Sequence, residues 1–119
     1  MDDQETISQL KNRIKRFCED RDWDKFHNAK DLAIGIITES SELLEHFRFK
    51  SEKEVEEIMG SDKRKELNEE LADIMFFVLR LAQRYDIDLS TKLQEKLKKS
   101  AEKYPVDKAK GSNKKYTEL

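Results

Sequence analysis

Glycine and proline are scarce in this chain, with three and one among 119 residues. A chain that reverses every few residues needs both, and almost no stretch alternates apolar with polar side chains as a half-buried strand does. Sheet-based folds are excluded on these grounds, and an all-helical chain is left. The single cysteine, Cys18, cannot close an internal disulfide, which predicts a reducing compartment, the cytoplasm. No apolar run approaches membrane-spanning length, and the opening "MDDQETISQL" is acidic, unlike a secretory signal. An excess of one charge is also missing. The 24 basic and 26 acidic residues leave −2, so there is no basic footprint for nucleic acid and no global attraction to a membrane. The expectation is a soluble cytoplasmic protein that binds neither nucleic acid nor a membrane.

Charged residues make up 42% of the chain and hydrophobic ones only 36%. One domain of this size and polarity buries a limited core, which favours an oligomer whose helices gain a second buried face. The periodicity predicts a bundle of four to five helices. Helix one runs from about Glu5 to Glu19, with Ile7, Leu10, Ile14, Phe17 and Cys18 on one face. The connector "RDWDKFHNAKD" carries two aromatics and a histidine, and helix two follows from a cap between Asn28 and Asp31 to about Arg48. Ser51 and Glu54 have capping-box spacing for a short helix ended by Gly60. Ser61 or Asp62 caps helix four, which reaches about Tyr85. Ser90 caps helix five, which Pro105 ends. Residues 1–105 then form a helical domain and 106–119 an extended tail. In helix four "LADIMFFVLRLA" is apolar almost all round, so its second side is buried by another subunit or by a central place in the bundle.

Two stretches, "ITESSELLEHF" and "NEELADIMFFVL", set acids beside an apolar stripe. Positions three and four apart share a helix face. In helix two Gly35, Glu39, Glu42 and His46 therefore line up beside Leu32, Ile36 and Leu43. In helix four Glu66, Glu70, Asp73 and Phe77 line up beside Ile74 and Leu81. If the apolar stripes meet, four carboxylates converge along their edge, and like charges so placed need protons or cations. A hard, oxygen-seeking ion such as Mg²⁺ fits, and Gly35 leaves a space on that face. The alternative is a set of solvated edge acids. The Glu-x-x-His pattern of ferritin-like di-iron bundles is absent. On helix five Lys96, Ser100 and Lys103 share a face suited to a polyphosphate, or form part of a solvated lysine face. Trp23, Phe26 and Phe49 flank helix two, where they either stack on a base or pack in the core. His27 either touches a ligand or caps helix two.

These segments, in order, resemble the MazG-like family of all-α nucleoside triphosphate pyrophosphohydrolases, nearest its small dCTP pyrophosphatase branch. The likeness rests on "ESSE" (Glu39 to Glu42) and "ELAD" (Glu70 to Asp73), then on "RDWDKFH", "FRFK", "KLKKSAEKYP" and "KKYTEL", and it covers nearly the whole chain. It implies Mg²⁺-dependent hydrolysis of a nucleoside triphosphate to monophosphate and pyrophosphate, with Mn²⁺ as the substitute ion, in clearing unwanted nucleotides. It implies Glu39, Glu42, Glu70 and Asp73 as metal ligands; one of the four orients or deprotonates the attacking water, and Glu39 is the candidate for that role. Trp23 and Phe49 fall near the base, and Lys96 and Lys103 near the phosphates. His27, Phe77 and Ser100 complete the substrate contacts. A homo-oligomer is implied, a dimer or tetramer with sites built across subunits. The branch usually has Trp in place of Phe49, Tyr in place of Phe77 and Asn in place of Ser100. Phe49 keeps a stacking surface, Phe77 loses a hydroxyl and Ser100 is shorter. The rival reading is a non-catalytic helical module that binds nucleotides or partners.

Overall fold

The computed structural model describes all 119 residues, Met1–Leu119. Six helices follow in chain order: α1 (Ile7–Asp20), α2 (Ala29–Glu45), α3 (Glu52–Met59), α4 (Arg64–Arg84), α5 (Leu89–Lys103) and α6 (Val106–Ala109). There are no strands. A 3-10 turn, Asp24–Phe26, interrupts the connector between α1 and α2, and a second, Tyr116–Glu118, lies near the C-terminus. The chain divides into two compact units, residues 1–87 and 88–119. The division falls at the start of α5, inside the helical domain expected for residues 1–105.

In the first unit α4 packs against both α2 and α1. Its core is small: Cys18 from α1, Leu32 from α2, and Leu67, Leu79 and Ala82 from α4. The caps are local and explicable. Thr6 and Gln9 make a capping box at α1, Asn28 accepts from the Asp31 N–H at α2, and Ser51 and Glu54 make the expected box at α3. Neither Ser61 nor Asp62 caps α4. Lys63 occupies that position without a side-chain cap, because the turn before it is already closed by backbone bonds, Arg64 N–H to Ser61 O and Lys65 N–H to Asp62 O. Nor does Ser90 cap α5. Asp88 does, two residues earlier, by accepting from the Thr91 N–H.

Gly35 of α2 lies hard against α4. A Cβ there would lie 2.5 Å from the Phe77 ring of α4, so only glycine admits this contact. The space expected beside the acids is therefore filled by Phe77. Opposite its core face α2 presents Ile34, Ile37 and Leu44 to solvent, and α4 presents Leu71 and Met75. Helix four is thus not buried all round within one chain. In the second unit Pro105 ends α5 and also opens α6, its φ of −58° suiting a helix start. The segment 106–119, expected to be extended, instead holds α6 and the second 3-10 turn. The Tyr104 and Tyr116 rings meet edge to face at 5.9 Å.

Candidate functional site

The packing of α2 on α4 brings the acids together. Glu39 lies one turn after Gly35, and Asp73 one turn before Phe77, so the close approach of these helices also sets the spacing of the carboxylates. One oxygen from each of Glu39, Glu70 and Asp73 lies within 4.8 Å of the other two. Glu42 is exposed and stands outside this group of three, yet it lies near enough to act on the Glu39 carboxyl. Glu39 Oε2 and Glu70 Oε2 are sealed from solvent and have no hydrogen-bond partner. Burial first, then Glu42 and the repulsion of Asp73 and Glu70, raise the Glu39 carboxyl from 4.5 to about 7. His46, which ends α2, holds Nε2 3.6 Å from Glu70 Oε1.

Buried carboxylate oxygens normally find donors. Two without any, on carboxyls from two helices that approach each other in an all-oxygen set, fit a hard divalent cation such as Mg²⁺. The remaining sequence candidates are placed as follows. Trp23 is about a third exposed, and its ring lies 5.6 Å from Phe17 and 6.0 Å from His27, edge to face in both cases. Phe17 in turn meets Phe76, and Phe76 meets Phe77, so a run of rings joins the connector to the helix of the acids. Phe49 follows α2, is 89% exposed and has a φ of 62°, a conformation unusual for a bulky residue. The Arg48 guanidinium covers its ring at 4.6 Å, and Phe49 takes no part in the core. In the second unit Lys96, Ser100 and Lys103 share one face of α5, with the lysines exposed and Ser100 half-buried. The Lys103 ammonium lies 4.7 Å from the Tyr116 ring centre.

Sequence reasoning missed Arg80. Its side chain is fully buried beside Cys18, whose thiol burial pushes up. The guanidinium donates from Nε to His27 Nδ1 at 2.9 Å, from Nη1 to Gln83 Oε1, and from Nη2 to Asp24 Oδ1. The bond from Arg80, outweighing desolvation, holds the Asp24 carboxyl below its usual range. Burial, followed by Arg80 and Arg84, lowers His27 below its usual range. An arginine flanked by leucines is a faint signal of a buried cation with a distant partner, but it names no partner.

An all-α fold with three carboxylates gathered between two of its helices, a set that could hold a cation, marks the class. The MazG-like family profile matches residues 34–119, and the chain belongs to this family. It is 32% identical over 115 residues to dCTP pyrophosphatase 1 of Rattus norvegicus, and equally so to that of Homo sapiens. The match covers 96% of this chain and 68% of each relative. The fold is also similar to the crystal structure of a pyrophosphatase from Archaeoglobus fulgidus. The TM-score is 0.78 and the identity 33%, over 83% of this chain and 92% of that one.

Proposed function

We propose that this protein is a divalent-cation-dependent nucleoside triphosphate pyrophosphohydrolase that converts a deoxynucleoside triphosphate, dCTP or a close analogue, to monophosphate and pyrophosphate. One observation carries the reading: the two sealed, unpartnered oxygens of Glu39 and Glu70 beside Asp73, in a chain of this family. Glu39, Glu42, Glu70 and Asp73 would hold Mg²⁺, or Mn²⁺ in its place, and the ion would supply neutralisation of the phosphate charge as it develops. Glu39, among these carboxylates, would orient the attacking water or take its proton. The water oxygen bonds to one phosphorus of the α–β bridge, the bond from that phosphorus to the bridging oxygen breaks, and monophosphate and pyrophosphate separate. Trp23 and Phe49 offer faces for the base and His27 a ring nitrogen beside it, while Phe77 borders the sugar. Lys96, Ser100 and Lys103 offer two ammonium groups and a hydroxyl of the kind that suits phosphates.

The assembly is a homo-oligomer, dimer or tetramer, joined through the apolar side chains that α2 and α4 leave in solvent. Ile37 is 69% exposed and Leu71 55%, values costly for a monomer to maintain. No helix is long and apolar enough to cross a membrane. The deciding experiment incubates the protein with a panel of ordinary and modified deoxynucleoside triphosphates plus Mg²⁺ and reads pyrophosphate. Release by the wild type and none by Glu70→Gln is expected. Release by neither, or by both alike, overturns the reading.

A further inference from the structure

Arg80 is the largest fully buried side chain, and it lies outside the acid cluster. A buried guanidinium is costly unless every arm is paired. Here three arms are paired, and two of the partners, Asp24 and His27, belong to the connector between α1 and α2. Arg84 adds a longer contact to Asp24 at 3.7 Å, and Tyr85 Oη accepts from the Ala29 N–H at 2.8 Å. The connector, through Asp24 and His27, and the first residue of α2, Ala29, are thus tied to the end of α4. The bond to His27 carries chemical information. Arginine keeps its protons at any workable pH, so His27 Nδ1 must present a lone pair to Arg80 Nε. The neutral imidazole then carries its proton on Nε2, and that nitrogen has no partner in the chain. Protonating the ring would set one N–H against another, which agrees with the lowering of His27 by burial and by Arg80.

We propose that Arg80 is a positioning residue that fixes His27 as a neutral Nε2–H donor and locks the Trp23–His27 segment in place for a nucleobase. The assignment to the base follows from Trp23, whose ring meets the imidazole edge to face. It rests on the nucleotide reading above. The buried arginine therefore shapes recognition without touching substrate, and its loss is felt in binding rather than in bond cleavage.

Arg80→Lys keeps the charge opposite Asp24 but lacks the planar fork, and Arg80→Met removes both. In the wild type, ¹⁵N spectra of the imidazoles should place the His27 proton on Nε2. In Arg80→Lys they should show the two tautomers mixed. Trp23 is the sole tryptophan, so its quenching by acrylamide should rise in both variants. KM for the preferred triphosphate should rise about tenfold with kcat near wild type, while inhibition by inorganic pyrophosphate is unmoved. The double variant Arg80→Lys, His27→Ala should be no worse than His27→Ala alone. A wild-type His27 protonated on Nδ1, an unchanged tautomer in Arg80→Lys, or additive losses in the double variant would each overturn the proposal. If Arg80→Met does not fold, the lysine variant and the wild-type spectrum still decide. If no triphosphate is hydrolysed by the wild type, the nucleotide reading fails by itself, and the tautomer and quenching results still judge the role of Arg80.

Discussion

Replacing Glu39 by glutamine removes one charge and keeps the shape. Without a cation the Glu39 carboxyl sits at about 7 in the folded protein against 4.5 in an ordinary setting. Between those values the native protein holds a proton that the unfolded chain has released, so stability falls as pH rises through that window. The penalty is absent below 4.5 and complete above about 7. At about 1.36 kcal/mol per pH unit the gap sets a ceiling of about 3.4 kcal/mol. Asp73 and Glu42 are exposed, so water screens the cluster and about 1 kcal/mol is the expected size. With chelator at about pH 8, Glu39→Gln should therefore melt roughly 4 °C above wild type, and no higher at pH near 4.5. Saturating Mg²⁺ should reverse the order. The wild type gains about 2.7 kcal/mol at a hundredfold excess over Kd, whereas the amide gains less and releases little pyrophosphate. Calorimetry at the two pH values, with and without Mg²⁺, reads all of this on one pair of proteins. An amide that melts below wild type in chelator at the higher pH, or one that gains equally from Mg²⁺, would refute the reasoning and return Glu39 to a structural or solvated role.

Trp23→Ala should weaken nucleotide binding by roughly 1–3 kcal/mol, the range for a base–aromatic stack, with Mg²⁺ affinity intact; titration calorimetry with a nucleotide and with Mg²⁺ alone separates the two. Leu32→Ala, at a site with no exposure, should cost about 2–5 kcal/mol in denaturant unfolding, and a smaller loss would show that the small core collapses around the cavity. Ile37→Glu should lower the mass seen by light scattering to that of one chain, 14.1 kDa; a wild type already at that mass would remove the oligomer from the reading. Gly35→Ala should destabilise by roughly 1–3 kcal/mol through overpacking against Phe77, measured in the metal-free protein.

The helical class and most helix ends were legible because caps and periodicity act over a few residues. Ser51 and Glu54 announce α3 within their own four positions, and the acid pairs announce a shared face within one turn. Reading failed where two local signals competed or where the partner lay far off. Asp88 and Ser90 both have the chemistry of a cap, and the geometry chose the earlier one. Pro105 was read as a stop, although proline opens a helix as readily as it ends one, so α6 was missed. Arg80 finds His27 and Asp24 at separations of 53 and 56 residues, a distance over which no periodicity speaks. The exclusion of Glu42 from the tight group of three likewise depends on how two helices cross, which neither helix encodes by itself.

That crossing has a further consequence at Gly35. A ring of carboxylates strung across two helices takes its diameter from the gap between them, and here the gap is set by a missing methyl group against the Phe77 ring. Magnesium wants oxygens at about 2.0–2.1 Å, while calcium accepts about 2.3–2.6 Å. Forcing the helices apart by a few tenths of an ångström would favour the larger ion. In the metal-bound form proposed above, glycine at this position would act as a gauge of ionic radius, one turn away from Glu39.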